Sequence, residues 1–359
     1  MDSDGTLPAE SAPLPLLEGR PTLARWMRGA GAHHPLLGLA SPEGRAASNP
    51  MQAQTLDAME NLLSVLESDD ASRWRKKREN DFPALISHSQ LLDLRAELLV
   101  ARALAESNVS YQLGNTKVSN PDFVVPDHDL GVEVTAKAPP SISSLHEQVE
   151  GLLRDWPGVG VQLTFSLYPS RLTGQQVDEL VQKVTIAARD VCQSGSTVTI
   201  RQKVDDPKNV KPIMIEAVLR PLSAGALEGR VWSQVEAGLL EDPLSSAEYA
   251  VFEIGASSAK AKQARSISGG VILAIDLSRY GAAWMRPGAV WAGRLAQRFT
   301  SDFPFAAIAI FRQDLRLPHI IEPAVGISSY AAPDTRRRIE QLCEILAWPH
   351  AIASTNGEA

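Results

Sequence analysis

The stretch Asn120-Pro121-Asp122-Phe123-Val124-Val125-Pro126-Asp127-His128-Asp129-Leu130-Gly131-Val132-Glu133-Val134-Thr135-Ala136-Lys137 decides how this chain is read. Phe123 to Val125 and Val132 to Val134 are short β-branched or aromatic runs. The Pro-Asp-His-Asp-Leu-Gly between them has the composition of a tight connection, so the segment predicts a β-hairpin. Side chains alternate along a strand, which puts Val132, Val134 and Ala136 on one side and Glu133, Thr135 and Lys137 on the other. Asp122, at the mouth of the first strand, is expected beside Glu133. Two carboxylates converging on a half-buried sheet repel each other and lose hydration unless a cation lies between them. A hard divalent ion with oxygen ligands, Mg²⁺ above all, meets that need, and phosphodiester cleavage is a reaction such an ion assists.

The same stretch lies in a recognisable order: a helix carrying Glu97, a short strand, Pro121-Asp122, a hairpin, then Glu133. In that order the chain resembles the PD-(D/E)XK, or restriction-endonuclease-like, nucleases, over about Gln90 to Lys137. The resemblance implies an α/β fold with a mixed central sheet flanked by helices. It implies a metal-dependent endonuclease hydrolysing DNA, in restriction or defence, with Mg²⁺ as cofactor and Mn²⁺ as an alternative. Asp122, Glu133 and the Val134 carbonyl would hold the ion, and Glu97 would position a metal-bound water or a second ion. The chain departs from the family at Thr135, where the motif has its lysine. Lys137 is one replacement, on the same face but about 6.6 Å further along the strand. A second is Lys262 or Lys260, entering from a helix at about Ala256 to Ser268; these two lie two apart and point in different directions. A third reading has no catalytic lysine, and the scaffold then binds metal or nucleic acid without cutting.

The family core runs helix, three strands, helix, strand, and two placements of its last two elements fit the sequence. One uses Ala256 to Ser268 and Val271 to Ile275, which makes about 141–255 a large insertion. The other uses Ser144 to Trp156 and Val161 to Leu167. Both leave a nuclease-like domain over 81–349, preceded by a helical extension over 51–80 and followed by a frayed tail at 350–359.

At 359 residues, with 44% hydrophobic and 21% charged residues, the chain is long enough for one large α/β domain with insertions or for two domains. A net charge of -7 argues against whole-protein attraction to nucleic acid, so any DNA contact needs a local basic patch; RNA stays open beside DNA. Cys192 and Cys343 are far apart without metal-ligand spacing, which suits buried free thiols in a reducing cytoplasm. The acidic, Pro-rich start lacks a secretory pattern, and no run approaches the length of a membrane span. A homodimer and a partner subunit both stay open.

From Met1 to about Pro50, Pro, Gly, Ala and Ser dominate, so mostly disorder is expected, with a short helix near Leu23 to Met27 and a solvated His33-His34 pair. Leu56, Met59, Leu62, Leu63 and Leu66 recur at helical spacing. The basic run Arg73-Trp74-Arg75-Lys76-Lys77-Arg78 follows. It offers phosphate contacts with Trp74 for base stacking, or else a solvated helix face with Trp74 docked on the core. Leu91, Leu94, Leu98 and Ala101 form the buried stripe of a helix over about Ser89 to Ser107. Within the insertion, Thr173 caps a long helix, and Thr197 to Gln202 pairs with Ile213 to Leu219; Tyr249 to Ile254 is a further candidate strand. Gly288 to Thr300 reads as a helix, Phe305 to Phe311 as a strand, and Asp334 to Leu346 as a helix.

Overall fold

The structure is a computed structural model. It describes residues 17–31, 34–37, 50–67, 74, 76–114, 120–136, 140–153, 155–156, 158–166, 172–205, 212–222, 230–235, 251–252, 254–256, 258–278 and 288–353. In chain order the N-terminal part holds α1 (Pro21–Trp26), α2 (Pro50–Glu67) and α3 (His88–Glu106), then β1 (Gln112–Leu113), β2 (Phe123–Val125) and β3 (Leu130–Thr135). The middle holds α4 (Pro140–Leu153), β4 (Val159–Phe165), α5 (Gly174–Ser194), β5 (Val198–Val204), β6 (Ile213–Pro221) and β7 (Arg230–Val235). The last part holds α6 (Ser258–Ala264), β8 (Val271–Asp276), α7 (Gly288–Arg298), β9 (Ala307–Arg312), β10 (Ile321–Ile327), α8 (Pro333–Ile345) and β11 (His350–Ile352).

The fold is α/β, built on a mixed seven-stranded sheet of order β1-β2-β3-β8-β9-β10-β11. The hairpin forms as its sequence predicts. Phe123 pairs with Val132 in an antiparallel β2–β3 ladder, and a 3-10 turn at Pro126–His128 plus Asp129 in the left-handed region (φ 49°) reverse the chain. Strand β8 then adds parallel to β3, with Glu133 opposite Leu273, and β9 adds parallel to β8. An apolar strand flanked on both sides by parallel neighbours is covered on both faces, which explains why every residue of β8 is buried.

Of the two segments that the sequence offers beside the hairpin, the one that pairs there is Val271 to Ile275. The strand beside the hairpin is β8, preceded by α6. Strand β4 belongs to a second, four-stranded sheet of order β5-β6-β4-β7. The third partner of β5 and β6 is therefore β4, with β7 beyond it, whereas residues 251–252 and 254–256 are helical instead of extended. The Thr173 cap forms in full, with a reciprocal Gln176 bond closing a capping box.

Period-two alternation divides the core. On one face of the large sheet, Val132, Val134, Ile272, Ala274, Ala307, Ala309 and Phe311 pack under α1, α2, α3 and α8. On the other, Val271, Leu273, Ile275, Ile308 and Ile310 join α7 and the core of the second sheet in one continuous apolar cluster. A buried polar chain lies at the ends of β8 and β9. There the fully buried Arg95 donates to Gln313 Oε1 (2.7 Å), and Gln313 Nε2 donates to Asp276 Oδ2 (2.6 Å).

The short helix expected near Leu23 to Met27 is present as α1. Leu23 and Trp26 are fully buried in the core they share with α2. His34 is likewise buried rather than solvated: its Nδ1 accepts from the Leu36 N–H (3.2 Å) and its Nε2 lies 3.0 Å from the Phe82 carbonyl oxygen. His33 lies outside the described residues. His350–Ile352, expected to fray, instead pairs parallel with β10 as β11. Of the two cysteines, Cys343 is buried, with burial pushing its thiol up to about 12, but Cys192 is exposed.

Candidate functional site

The site forms where β2 stops and β3 continues. The ladder between them ends at Phe123 and Val132, so two residues further on the Val134 N–H has lost its strand partner. The Asp122 carboxylate takes that place, accepting from Val134 N–H through Oδ2 at 2.8 Å. In a ladder the N–H and C=O of one residue point to the same side, so the Val134 carbonyl is directed off this edge as well. Gly131 keeps the chain close here, since a Cβ on it would come within 2.7 Å of the Pro121 ring.

Glu133 lies on the opposite face of β3 from Val132 and Val134, and only 2% of it is exposed. Its Oε1 accepts from Lys260 Nζ, and its Oε2 is buried with no hydrogen bond of normal geometry. Burial and the neighbouring Asp122 charge push its carboxyl up to about 7, against the lowering effect of Lys260. Lys260 belongs to α6, which ends in Ala264 packed on this same face.

Glu97 approaches from α3 on the other face of the sheet. Its Oε2 pairs with Lys77 Nζ. Burial raises its carboxyl pKa, Lys77 and Lys260 oppose that, and Asp122 adds to it. One aspartate therefore acts on both glutamates, and one lysine on both as well. Asp122, Glu97, Glu133, Lys260 and Lys77 form a single electrostatic cluster around the buried C-terminal part of β3.

The expected residues divide accordingly. Asp122 lies within electrostatic range of both Glu97 and Glu133, which approach it from opposite faces of the sheet. Thr135 is buried on the Glu133 face and brings no charge. Lys137 lies outside the described residues. Lys262 is exposed, and a two-residue step on a helix turns a side chain about 200° away, so Lys260 is the lysine of this helix that reaches the cluster.

The basic run behaves unlike a nucleic-acid grip in its central residue. Trp74 is 2% exposed, and its indole N–H donates to the Tyr111 hydroxyl at 3.3 Å, so it cannot stack on a base. Lys76 is exposed, while Lys77 turns inward to Glu97. Arg73 and Arg75 lie outside the described residues, as does the side chain of Arg78. Lys77 as a member of the acidic cluster has no signal in the sequence, because nothing in a run of like charges marks which one faces inward.

Among the described residues, no three His, Cys, Asp or Glu side chains converge closely enough to hold a metal ion as they stand. The two glutamates have lysine ammoniums as their counter-charges. Among the described residues no helix is long and apolar enough to cross a membrane. No family model, curated protein or solved structure matches the chain.

Proposed function

We propose that the chain is a metal-dependent endonuclease that hydrolyses phosphodiester bonds in DNA, on a restriction-endonuclease-like arrangement of β1–β3, α6 and β8. The observation that carries this reading is Glu133. It is a nearly fully buried carboxylate, repelled by the Asp122 charge and paired to a lysine through one oxygen, with the other oxygen lacking a hydrogen bond of normal geometry. A buried oxygen without a partner costs free energy, and a divalent cation is the partner that suits two acids at once. Asp122, Glu133 and the Val134 carbonyl would hold Mg²⁺ or Mn²⁺, and such an ion would neutralise charge on a phosphate and make a bound water more acidic.

The chain's own residues take the remaining roles. Lys260 replaces the lysine missing at Thr135, and its ammonium beside Glu133 supplies positive charge where a phosphate gathers negative charge in the transition state. Glu97, with its raised pKa, is a proton acceptor or donor at the open side of the cluster. Exposed Lys76 and Lys262, close in sequence to the two site lysines, offer phosphate contacts that the overall charge of -7 does not provide. A role in restriction or defence against foreign DNA is the setting that the resemblance suggests.

A second reading, a nuclease-like scaffold that binds nucleic acid or assembles with a partner without cutting, is favoured by the lysine pairing of both glutamates. Nicking of supercoiled plasmid with Mg²⁺ or Mn²⁺ separates the two. Wild type should convert the substrate and Glu133→Gln should not. Equal rates for both, or no cleavage with either ion, would leave the binding scaffold as the better account.

A further inference from the structure

We propose that the outward face of the second sheet is a binding surface for the phosphate backbone of single-stranded nucleic acid, with Arg201, Lys203 and Arg220 as its cations. The surface includes none of the acids around β3 and needs no metal ion, so it stands whether or not the chain cuts.

Register sets the two faces of this sheet. In the β5–β6 ladder Val204 stands opposite Ile213 and Ile200 opposite Ala217, and this row packs with α4 and α5 in one core. Alternation puts Thr199, Arg201 and Lys203 on the other face, opposite Val218, Glu216 and Met214. Arg220 follows Val218 on that face, and Gln162 of β4 stands opposite Val218 from the far side. Thr199, Arg201, Lys203 and Arg220 are all exposed. Charge divides in the same way. The helix layer of α4 and α5 exposes Glu147, Asp178, Glu179 and Asp190 against Lys183 and Arg189. Strands β5 and β6 carry the three cations and one acid, Glu216. In a chain of net charge -7, a face with excess positive charge is where a polyanion can approach.

The bonds these cations make leave them able to take a phosphate. Arg201 Nε donates to Glu216 Oε2 at 2.6 Å, but its side chain is 71% exposed, so the pair is weak in water and the guanidinium has further donors to offer. Arg220 donates to Gln162 Oε1 at 2.9 Å, an uncharged partner that holds the guanidinium on the face. An edge strand often carries lysine to discourage pairing with other chains, which would account for Lys203 on β5. It does not account for Arg220, because β6 is an inner strand between β5 and β4. Arg220 lies six residues beyond Met214, the partner of Lys203, so the cations run diagonally over about 20 Å of flat sheet. An extended strand can follow that line, whereas a duplex curves away from it. Neither β5 nor β6 contains an aromatic residue, so they offer no stacking platform and grip the backbone instead of the bases.

The test is fluorescence polarisation of labelled oligothymidylate with the full chain in EDTA, at several salt concentrations. Three phosphate contacts on a single strand predict that log affinity falls with log salt at a slope of about -2. Arg201→Ala, Lys203→Ala and Arg220→Ala should each weaken binding about fivefold at about 0.1 M salt and reduce that slope by about 0.7. All three side chains are exposed, so these variants should fold as wild type does. Arg189→Ala, which removes a cation from the helix layer, should bind like wild type. Unchanged affinity and slope in the triple alanine variant, an equal loss in Arg189→Ala, or no binding by wild type overturns the proposal. Tighter binding to a duplex of the same length overturns the choice of a single strand. Displacement by polyglutamate as readily as by unlabelled strand overturns the choice of nucleic acid and points to an acidic protein segment.

Discussion

Lys260 donates to Glu133 from 127 residues further along the chain, at a strand edge where Thr135 brings no charge of its own. Taking away the lysine leaves a carboxylate almost without solvent or counter-charge. Breaking a buried pair from one side costs about 3 kcal/mol or more. Lys260→Met should therefore lose about that much stability at pH 8 and distinctly less at pH 5, where Glu133 is already protonated in wild type. Urea denaturation at the two pH values measures this. An equal loss at both would mean that Lys260 acts through packing of its stem and not through its charge.

Glu133 itself sets a pH dependence of folding. Its carboxyl is raised from 4.5 to about 7, so between those values the folded state holds a proton that the unfolded state has released. Stability must then fall as pH rises through that window, by up to about 3 kcal/mol at roughly 1.4 kcal/mol per pH unit. Below about pH 4.5 the penalty is absent, and above about pH 7 it is complete. Glu133→Gln should flatten the profile and be the more stable protein at pH 8 in the presence of EDTA. A wild-type stability that rises between pH 5 and 7, relative to Glu133→Gln, would contradict the burial of that charge.

Asp122 has two duties that different substitutions separate. As an acceptor for the Val134 N–H it replaces a missing ladder bond, and as an anion it faces the two glutamates. Asp122→Asn keeps an oxygen for the N–H and relieves repulsion, so its melting temperature should match or exceed wild type while plasmid nicking disappears. Asp122→Ala should lose nicking and in addition about 1–2 kcal/mol of stability, because an amide N–H is left without its acceptor. Cleavage that persists in Asp122→Asn would remove Asp122 from the proposed ion site.

The acids of the site were legible because they depend on local pattern. Alternation around a Pro- and Gly-bounded turn fixed the hairpin, and with it the faces of Glu133 and Val134. The lysine was not legible to the same degree. Which lysine meets Glu133 depends on which strand lies beside β3, a long-range choice that the sequence offered in two versions; β8 pairs there, and Lys260 on the helix before it bonds to Glu133. Strand β10 escaped notice because Pro323 interrupts it and Glu322 adopts a left-handed conformation (φ 48°) at a register shift, which erases the alternation. Strand β11 has three residues, too few to show any period. Before Pro50, the helix near Leu23 to Met27 was legible but the burial of Leu23, Trp26 and His34 was not, because it depends on docking with α2 and Phe82 rather than on their own neighbours.

Trp74 and Lys76 stand two residues apart in the basic run and should respond to substitution in opposite ways. Trp74 is a core side chain, bonded to Tyr111 and buried among α1, α2 and α3 residues. Replacing a buried tryptophan by alanine removes its packing and leaves a void, at a cost of about 3–5 kcal/mol. Trp74→Ala should thus melt much earlier than wild type, while the fraction that stays folded binds labelled duplex with unaltered affinity. Lys76 is exposed, so Lys76→Ala should alter stability by less than about 0.5 kcal/mol. If it contacts a phosphate, its removal weakens binding uniformly across sequences and lowers the salt-dependence slope by about one. Fluorescence polarisation with a labelled duplex at several salt concentrations, paired with thermal melts, reads both effects. A Trp74→Ala protein of wild-type stability with lost DNA affinity would return that tryptophan to the role of a stacking platform.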